Sequence, residues 1–137
     1  MDNAFDEIGR AGHEVIKSFS KLYAFLELIS EEISDLLLCE ASDKGFFLWL
    51  SPNWSKFLGW TKEELLASPW LEFVHPDDRA ATIAAAAEMQ QKRIINFVNR
   101  YLCKDGTWIK LRWRAQKFNG VAWCVARPIN ANTESTG

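Results

Sequence analysis

The sequence predicts an α+β domain: a five-stranded antiparallel sheet with helices on one face, preceded by a long amphipathic helix. Three observations carry this. Apolar residues recur at alternating spacings of three and four over the first thirty-six positions. Two short apolar runs then flank a turn-forming tetrapeptide, and beyond Lys92 the pattern alternates with a period of two. Between these blocks lies a stretch dense in helix-start signals. Two strands, a helical crossover and three strands form one sheet covered by a helical layer.

The first helix is assigned to residues 1–34. Phe5, Ile8, Gly12, Val15, Phe19, Leu22, Leu26, Ile29, Ile33 and Leu36 follow an a/d heptad pattern that no proline interrupts. Ile16, Tyr23, Phe25, Leu28 and Leu37 widen the stripe, which implies contact with more than one surface. The expectation is a homodimer through Phe5, Ile8, Val15, Phe19, Leu22, Leu26, Ile29 and Ile33, with the second half of the helix also packing on the globular domain. The competing reading is a helix lying on its own domain alone.

Residues 36–40 and 46–50 are short apolar runs around Ser42-Asp43-Lys44-Gly45, the pattern of a hairpin. Ser51-Pro52 combines an N-cap residue with a proline suited to the first helical position. Gly59 ends that helix, and Thr61-Lys62-Glu63-Glu64 is a capping box for the next. Ser68-Pro69 starts another turn. His75-Pro76-Asp77-Asp78-Arg79 opens the longest helix of the globular part, with its acids at the positive end of the helix dipole and the Ala-rich run from Ala80 to Ala87 as its body.

The final strands carry the clearest alternation. Ile95, Phe97, Asn99, Tyr101 and Cys103 share one face. Asp105-Gly106 and Asn119-Gly120 are hairpin turns. Ile109, Leu111, Trp113 and Ala115 oppose Lys110, Arg112 and Arg114, and Val121 to Ile129 forms the last strand. Residues 130–137 are small and polar and read as a disordered tail.

Composition excludes several classes. Of 137 residues, 48% are hydrophobic and 25% charged, enough for a soluble core. The net charge is −2, with no dominant basic patch for nucleic acid. Charge is uneven: residues 1–34 hold seven acids and three bases, the remainder eleven acids and thirteen bases. No run approaches a membrane span and no signal-peptide pattern opens the chain, so a cytoplasmic location is expected. Cys39, Cys103 and Cys124 form no CxxC pair and read as buried free thiols in a reducing compartment. Catalysis is not expected. Only His13 and His75 are available as imidazole bases, and adjacent Asp77 and Asp78 do not converge on one site. His75 suits a capping role.

Several segments in order resemble the PAS family. Phe46 to Gly59 resembles its second strand and first helix. Gly59-Trp60-Thr61-Lys62-Glu63-Glu64-Leu65 is similar to its Gly-(aromatic)-(Ser/Thr)-x-Glu-Glu-Leu segment. Phe73-Val74-His75-Pro76-Asp77-Asp78-Arg79 matches its Phe-Val-His-Pro-Asp-Asp-Arg, and Asn99 to Trp108 resembles its Lys-Asp-Gly hairpin. Ala126-Arg127-Pro128-Ile129 stands where relatives read Ala-Arg-Asp-Ile-Thr and pass into an output domain; Pro128 departs from that pattern. The resemblance covers residues 35–129 and implies a sensory, signal-transducing module with an output domain or partner signalling protein. The chain then either works alone or is a piece of a longer sensor.

The resemblance also bears on cofactors, and none is expected. Haem-binding members use a His on the long helix, and Asp78 to Gln91 contains none. The Asn-Cys-Arg-Phe-Leu motif of light-sensing flavin members is missing, while a non-covalent flavin stays open. A small apolar ligand would lie between the sheet and the helices. The candidate lining is Phe47, Trp49, Phe57, Leu65, Trp70, Phe73, Ile83, Phe97, Tyr101, Leu111, Trp113 and Trp123; the alternative is that these residues are plain core.

Overall fold

The structure is a computed structural model and describes residues 20–89 and 94–129. The turn signals set the sheet. Asn119 and Gly120 both have positive φ, 48° and 80°, as a two-residue hairpin turn requires. They join β4 (Trp108–Phe118) to β5 (Val121–Pro128), and Asp105-Gly106 joins β3 (Ile95–Leu102) to β4. β1 (Leu37–Ser42) pairs with β2 (Phe47–Leu50) on one side and β5 on the other. The result is one five-stranded sheet, order β2-β1-β5-β4-β3, with antiparallel pairing throughout.

Residues 20–32 are helical and form α1. The crossover contains α2 (Asn53–Leu58), α3 (Lys62–Ala67), two 3₁₀ turns (Trp70–Phe73 and Pro76–Asp78) and α4 (Arg79–Glu88). The capping box of α3 forms as expected: Thr61 Oγ1 accepts from the Glu64 amide at 3.1 Å, and Glu64 Oε1 accepts from the Thr61 amide at 2.9 Å. His75 caps the second 3₁₀ turn, accepting the Asp77 amide on Nδ1 at 3.1 Å. Ser51 departs from its expected capping role. Its hydroxyl accepts from the Leu38 amide at 2.9 Å and ties α2 to β1.

The inner sheet face, covered by α2, α3 and α4, presents Leu37, Cys39, Tyr101, Leu111, Trp113 and Ala126 to one core cluster with Phe47, Trp54, Leu58, Leu65, Phe73 and Val74. Trp54 is its hub. The ring lies 5.3 to 6.0 Å from those of Phe47, Tyr101 and Trp113, and its indole N–H donates to the Leu38 carbonyl at 2.8 Å. A buried indole needs such an acceptor.

α1 lies on the opposite face. Its Tyr23 ring packs 5.2 Å from Trp49, and its hydroxyl donates to the carboxylate of buried Glu40. The Asn53 amide donates to the carbonyls of Ser30, Ile33 and Leu36 at 2.7, 3.1 and 3.0 Å, satisfying groups that the end of the helix leaves open. These contacts fall on β1, β2 and α2. Glu27, Glu31 and Glu32 of α1 are exposed. The acid that meets the sheet is Asp35, 2.9 Å from Arg127 on β5. Phe5, Ile8, Val15 and Phe19, with the tail 130–137, lie outside the described residues.

Candidate functional site

Between α4 and the inner face lies a cavity of about 50 Å³. That is several times the ~10–15 Å³ one water needs. Its wall is formed by Cys39, Phe47, Trp70, Thr82, Ala86, Met89, Phe97, Asn99, Tyr101, Trp113, Ala115 and Cys124. The site follows from three local patterns. Alternation on β3 aims Phe97, Asn99 and Tyr101 inward. The Thr82, Ala86, Met89 stripe of α4, spaced by four and three, faces them. Ala115 and Cys124 are small enough to leave the space open.

A polar chain crosses this apolar wall. Trp113 Nε1 donates to Asn99 Oδ1 at 2.7 Å; Asn99 Nδ2 donates to Thr82 Oγ1 at 3.2 Å; Thr82 Oγ1 donates to the Asp78 carbonyl at 2.8 Å. Trp113, Asn99 and Thr82 are buried, so these bonds avoid the penalty of unpaired groups. The chain ends at a second anchor. Asp78 accepts from the Arg100 amide at 2.8 Å and from its guanidinium at 2.8 and 2.9 Å, locking the start of α4 to β3. Hydrogen bonding from the Arg100 side chain, joined by its amide and charge, outweighs burial and holds the Asp78 carboxyl down at about 2. The indole N–H of Trp70 is buried with no acceptor among the described residues.

Burial raises two groups at the cavity. The Tyr101 hydroxyl is pushed well up, first by desolvation and then by the nearby Cys39 and Cys124. Desolvation also pushes the Cys39 thiol well up, with the Cys124 thiol adding to it.

Of the candidate lining residues, Phe47, Trp70, Phe97, Tyr101 and Trp113 reach this cavity. Leu65, Phe73 and Leu111 belong to the core, and Phe57 packs against it. Ile83 is 52% exposed, because Thr82 and Ala86 occupy the inward stripe of α4.

Trp49 and Trp123 lie away from this cavity. Both pair with Glu40 and lie on the outer face. In β2 the pairing shifts between Phe47 and Trp49, so Leu48 is an extra residue and the period of two breaks. In β5 the inward positions belong to the small residues Ala122, Cys124 and Ala126. Asn99, Thr82, Met89, Ala86, Ala115, Cys39 and Cys124 were missed as lining. The inward register of Asn99 was legible in the β3 alternation, whereas a size-based choice passes over small residues.

On the outer face, α1 divides its apolar stripe. Tyr23, Leu26 and Ile29 are partly covered and Ser30 is fully buried. Leu22, Phe25, Leu28 and Ile33 stay open, Phe25 at 58% and Leu28 at 54%. Leu22, Phe25 and Leu28 recur at helical spacing along one flank. No described helix is long and apolar enough to cross a membrane.

The PAS fold family matches residues 47–126. Protein cycle of Drosophila melanogaster is 29% identical over 86 residues, which are 60% of this chain and 21% of that protein. The chain thus spans about a fifth of the length of that curated relative. The solved PAS-B domain of Drosophila melanogaster Cycle with bound ethylene glycol is 23% identical with a TM-score of 0.60, covering 68% of this chain and 97% of that one. A tryptophan-to-alanine variant of that domain with bound glycerol gives the same identity and TM-score over 67% and 96%. A domain of a sensory box sensor histidine kinase/response regulator from Geobacter sulfurreducens is 18% identical, TM-score 0.60, over 67% and 82%. At these identities the solved structures speak to the fold alone. With the family matched over more than half of the sequence and its strand order observed, the chain belongs to the PAS fold family.

Proposed function

We propose that this domain is a non-catalytic sensory module in which a small, largely apolar molecule in the cavity alters strand packing, and α1 carries the change to a second copy of the chain. The observation that carries this reading is the position of β1. Cys39 on its inner face lines the cavity, and the next residue, Glu40, binds Tyr23 of α1 on its outer face. Ligand and helix meet across one strand. A molecule that binds the two arrangements unequally shifts their populations.

The cavity limits the ligand to a few non-hydrogen atoms unless α4 moves. The ethylene glycol and glycerol held by the Cycle PAS-B structures are of that size. An enclosed flavin does not fit about 50 Å³. The open flank at Leu22, Phe25 and Leu28 supports self-association through α1. Native mass spectrometry of freshly purified protein tests both halves. A dimer is expected that retains a small mass, and Phe25→Glu with Leu28→Glu is expected to leave a folded monomer. A wild-type monomer, or a variant that stays dimeric, overturns the role of α1. A dimer with no retained mass, and no shift in melting temperature with ethylene glycol or glycerol, overturns the ligand.

A second reading, a ligand-free docking adaptor, is favoured by the exposed Val98, Trp108, Arg112 and Arg114 on the outer face of β3 and β4. An empty cavity together with a stable heteromeric complex supports it.

A further inference from the structure

Cys39 and Cys124 are cross-strand partners in the β1–β5 ladder. Opposed residues of an antiparallel pair project to the same face, here the inner one, and both thiols line the cavity. Both are free. Cys39 is 3% exposed, while Cys124 is partly exposed. Cys103 belongs to the other end of the core, where its thiol faces the Phe57 carbonyl at 3.9 Å. Two thiols are thus held side by side at a cavity wall.

We propose that Cys39 and Cys124 are a reversible redox pair, which closes a disulfide across the cavity wall when a hydroperoxide oxidises it. Cys124, the more accessible thiol, attacks the peroxide oxygen. The O–O bond breaks, hydroxide leaves and takes up a proton to become water, and Cys124 becomes a sulfenic acid. The Cys39 sulfur then attacks the Cys124 sulfur. The S–S bond forms, the S–O bond breaks, and the departing hydroxide takes the Cys39 thiol proton to form a second water. Two thiols lose two hydrogens and two electrons, and one hydroperoxide gains them. Reduction by a dithiol reverses the step.

The geometry favours a labile bond over a permanent staple. Directly opposed residues hold their Cβ atoms roughly 4.5–5.5 Å apart, whereas a relaxed disulfide holds them about 3.8 Å apart. Closing it therefore draws β1 and β5 together, and such a bond is readily reduced. The movement reaches α1 directly, because Glu40 and Trp123, the next residues along each strand, oppose each other on the far face. This device needs no bound ligand and stands apart from the ligand reading.

The test is treatment of the full chain with hydrogen peroxide, followed by alkylation and non-reducing peptide mapping. A monomolecular loss of two hydrogens is expected, with a Cys39–Cys124 linked peptide, an alkylated Cys103 and full reversal by dithiothreitol. Cys103→Ser is expected to keep the linkage and Cys124→Ala to abolish it, both with far-UV circular dichroism unchanged. The mapping of wild-type protein decides the matter even if a variant fails to fold. All three thiols remaining alkylatable, a link through Cys103, or a bond that appears only after the circular dichroism signal is lost overturns the proposal.

Discussion

The side-chain amide of Asn53 on α2 donates to the carbonyl of Ser30 on α1 at 2.7 Å, with both residues buried. The same nitrogen serves Ile33 and Leu36. The end of α1 is therefore capped by a residue more than twenty positions away. Asn53→Ala is expected to lower stability by about 1–3 kcal/mol, since it strips the donor from the buried Ser30 carbonyl and from the part-buried groups beside it. Asn53→Asp is expected to lower it further, because a carboxylate cannot donate and repels them. Urea midpoints rank the two, and an equal or reversed order refutes the cap.

Trp113→Phe removes the donor to Asn99 Oδ1 and leaves that buried oxygen unpaired. A loss of about 1–3 kcal/mol is expected. Trp113→Phe with Asn99→Leu removes both partners, so the double variant is expected to recover part of the loss. Strict additivity in thermal unfolding counts against the polar chain.

Asp78 predicts an acid limb. Its carboxyl is held at about 2 in the fold against about 3.9 when unfolded. A depressed carboxylate contributes stability that is fully present above the unfolded value and lost as pH falls through the folded one. The urea midpoint is expected to drop between about pH 4 and about pH 2, and Arg100→Met is expected to flatten that limb. A variant with an unchanged slope excludes the pair as its source.

The two tyrosines of the chain predict an alkaline silence. The bond from the Tyr23 hydroxyl to Glu40, then desolvation, pushes Tyr23 up to about 12, and burial pushes Tyr101 well up. Phenolate absorbance is expected to stay flat through pH 10, where an unfolded tyrosine ionises. A raised phenol stabilises the fold fully below about 10 and ceases to as pH rises through about 12. Early phenolate signal that disappears in Tyr23→Phe shows that α1 is not held against Glu40.

The sheet was largely legible because its signals are local. Asn119-Gly120 supplied positive φ, Thr61 and Glu64 formed a capping box, and Ile95 to Tyr101 alternated without interruption. The cavity was half legible. Bulk leads to Trp113 and Tyr101, which reach the cavity, and equally to Trp123, which lies on the outer face beside the small inward residues Ala122 and Cys124. Trp49 was illegible because one inserted residue reverses every side chain beyond it, and nothing about Leu48 announces the insertion. Asn53 was missed because its partners are remote in sequence.

Glu40 carries a charge into the strand beneath α1, and Tyr23 from the helix answers it. Were α1 to lift away, water would have to reach that carboxylate, since an unsolvated lone charge is far too costly to leave dry. The undocked arrangement is therefore a wetted one, with Trp49 newly open to solvent. The Glu40 carboxylate is shielded from water only while the helix is seated.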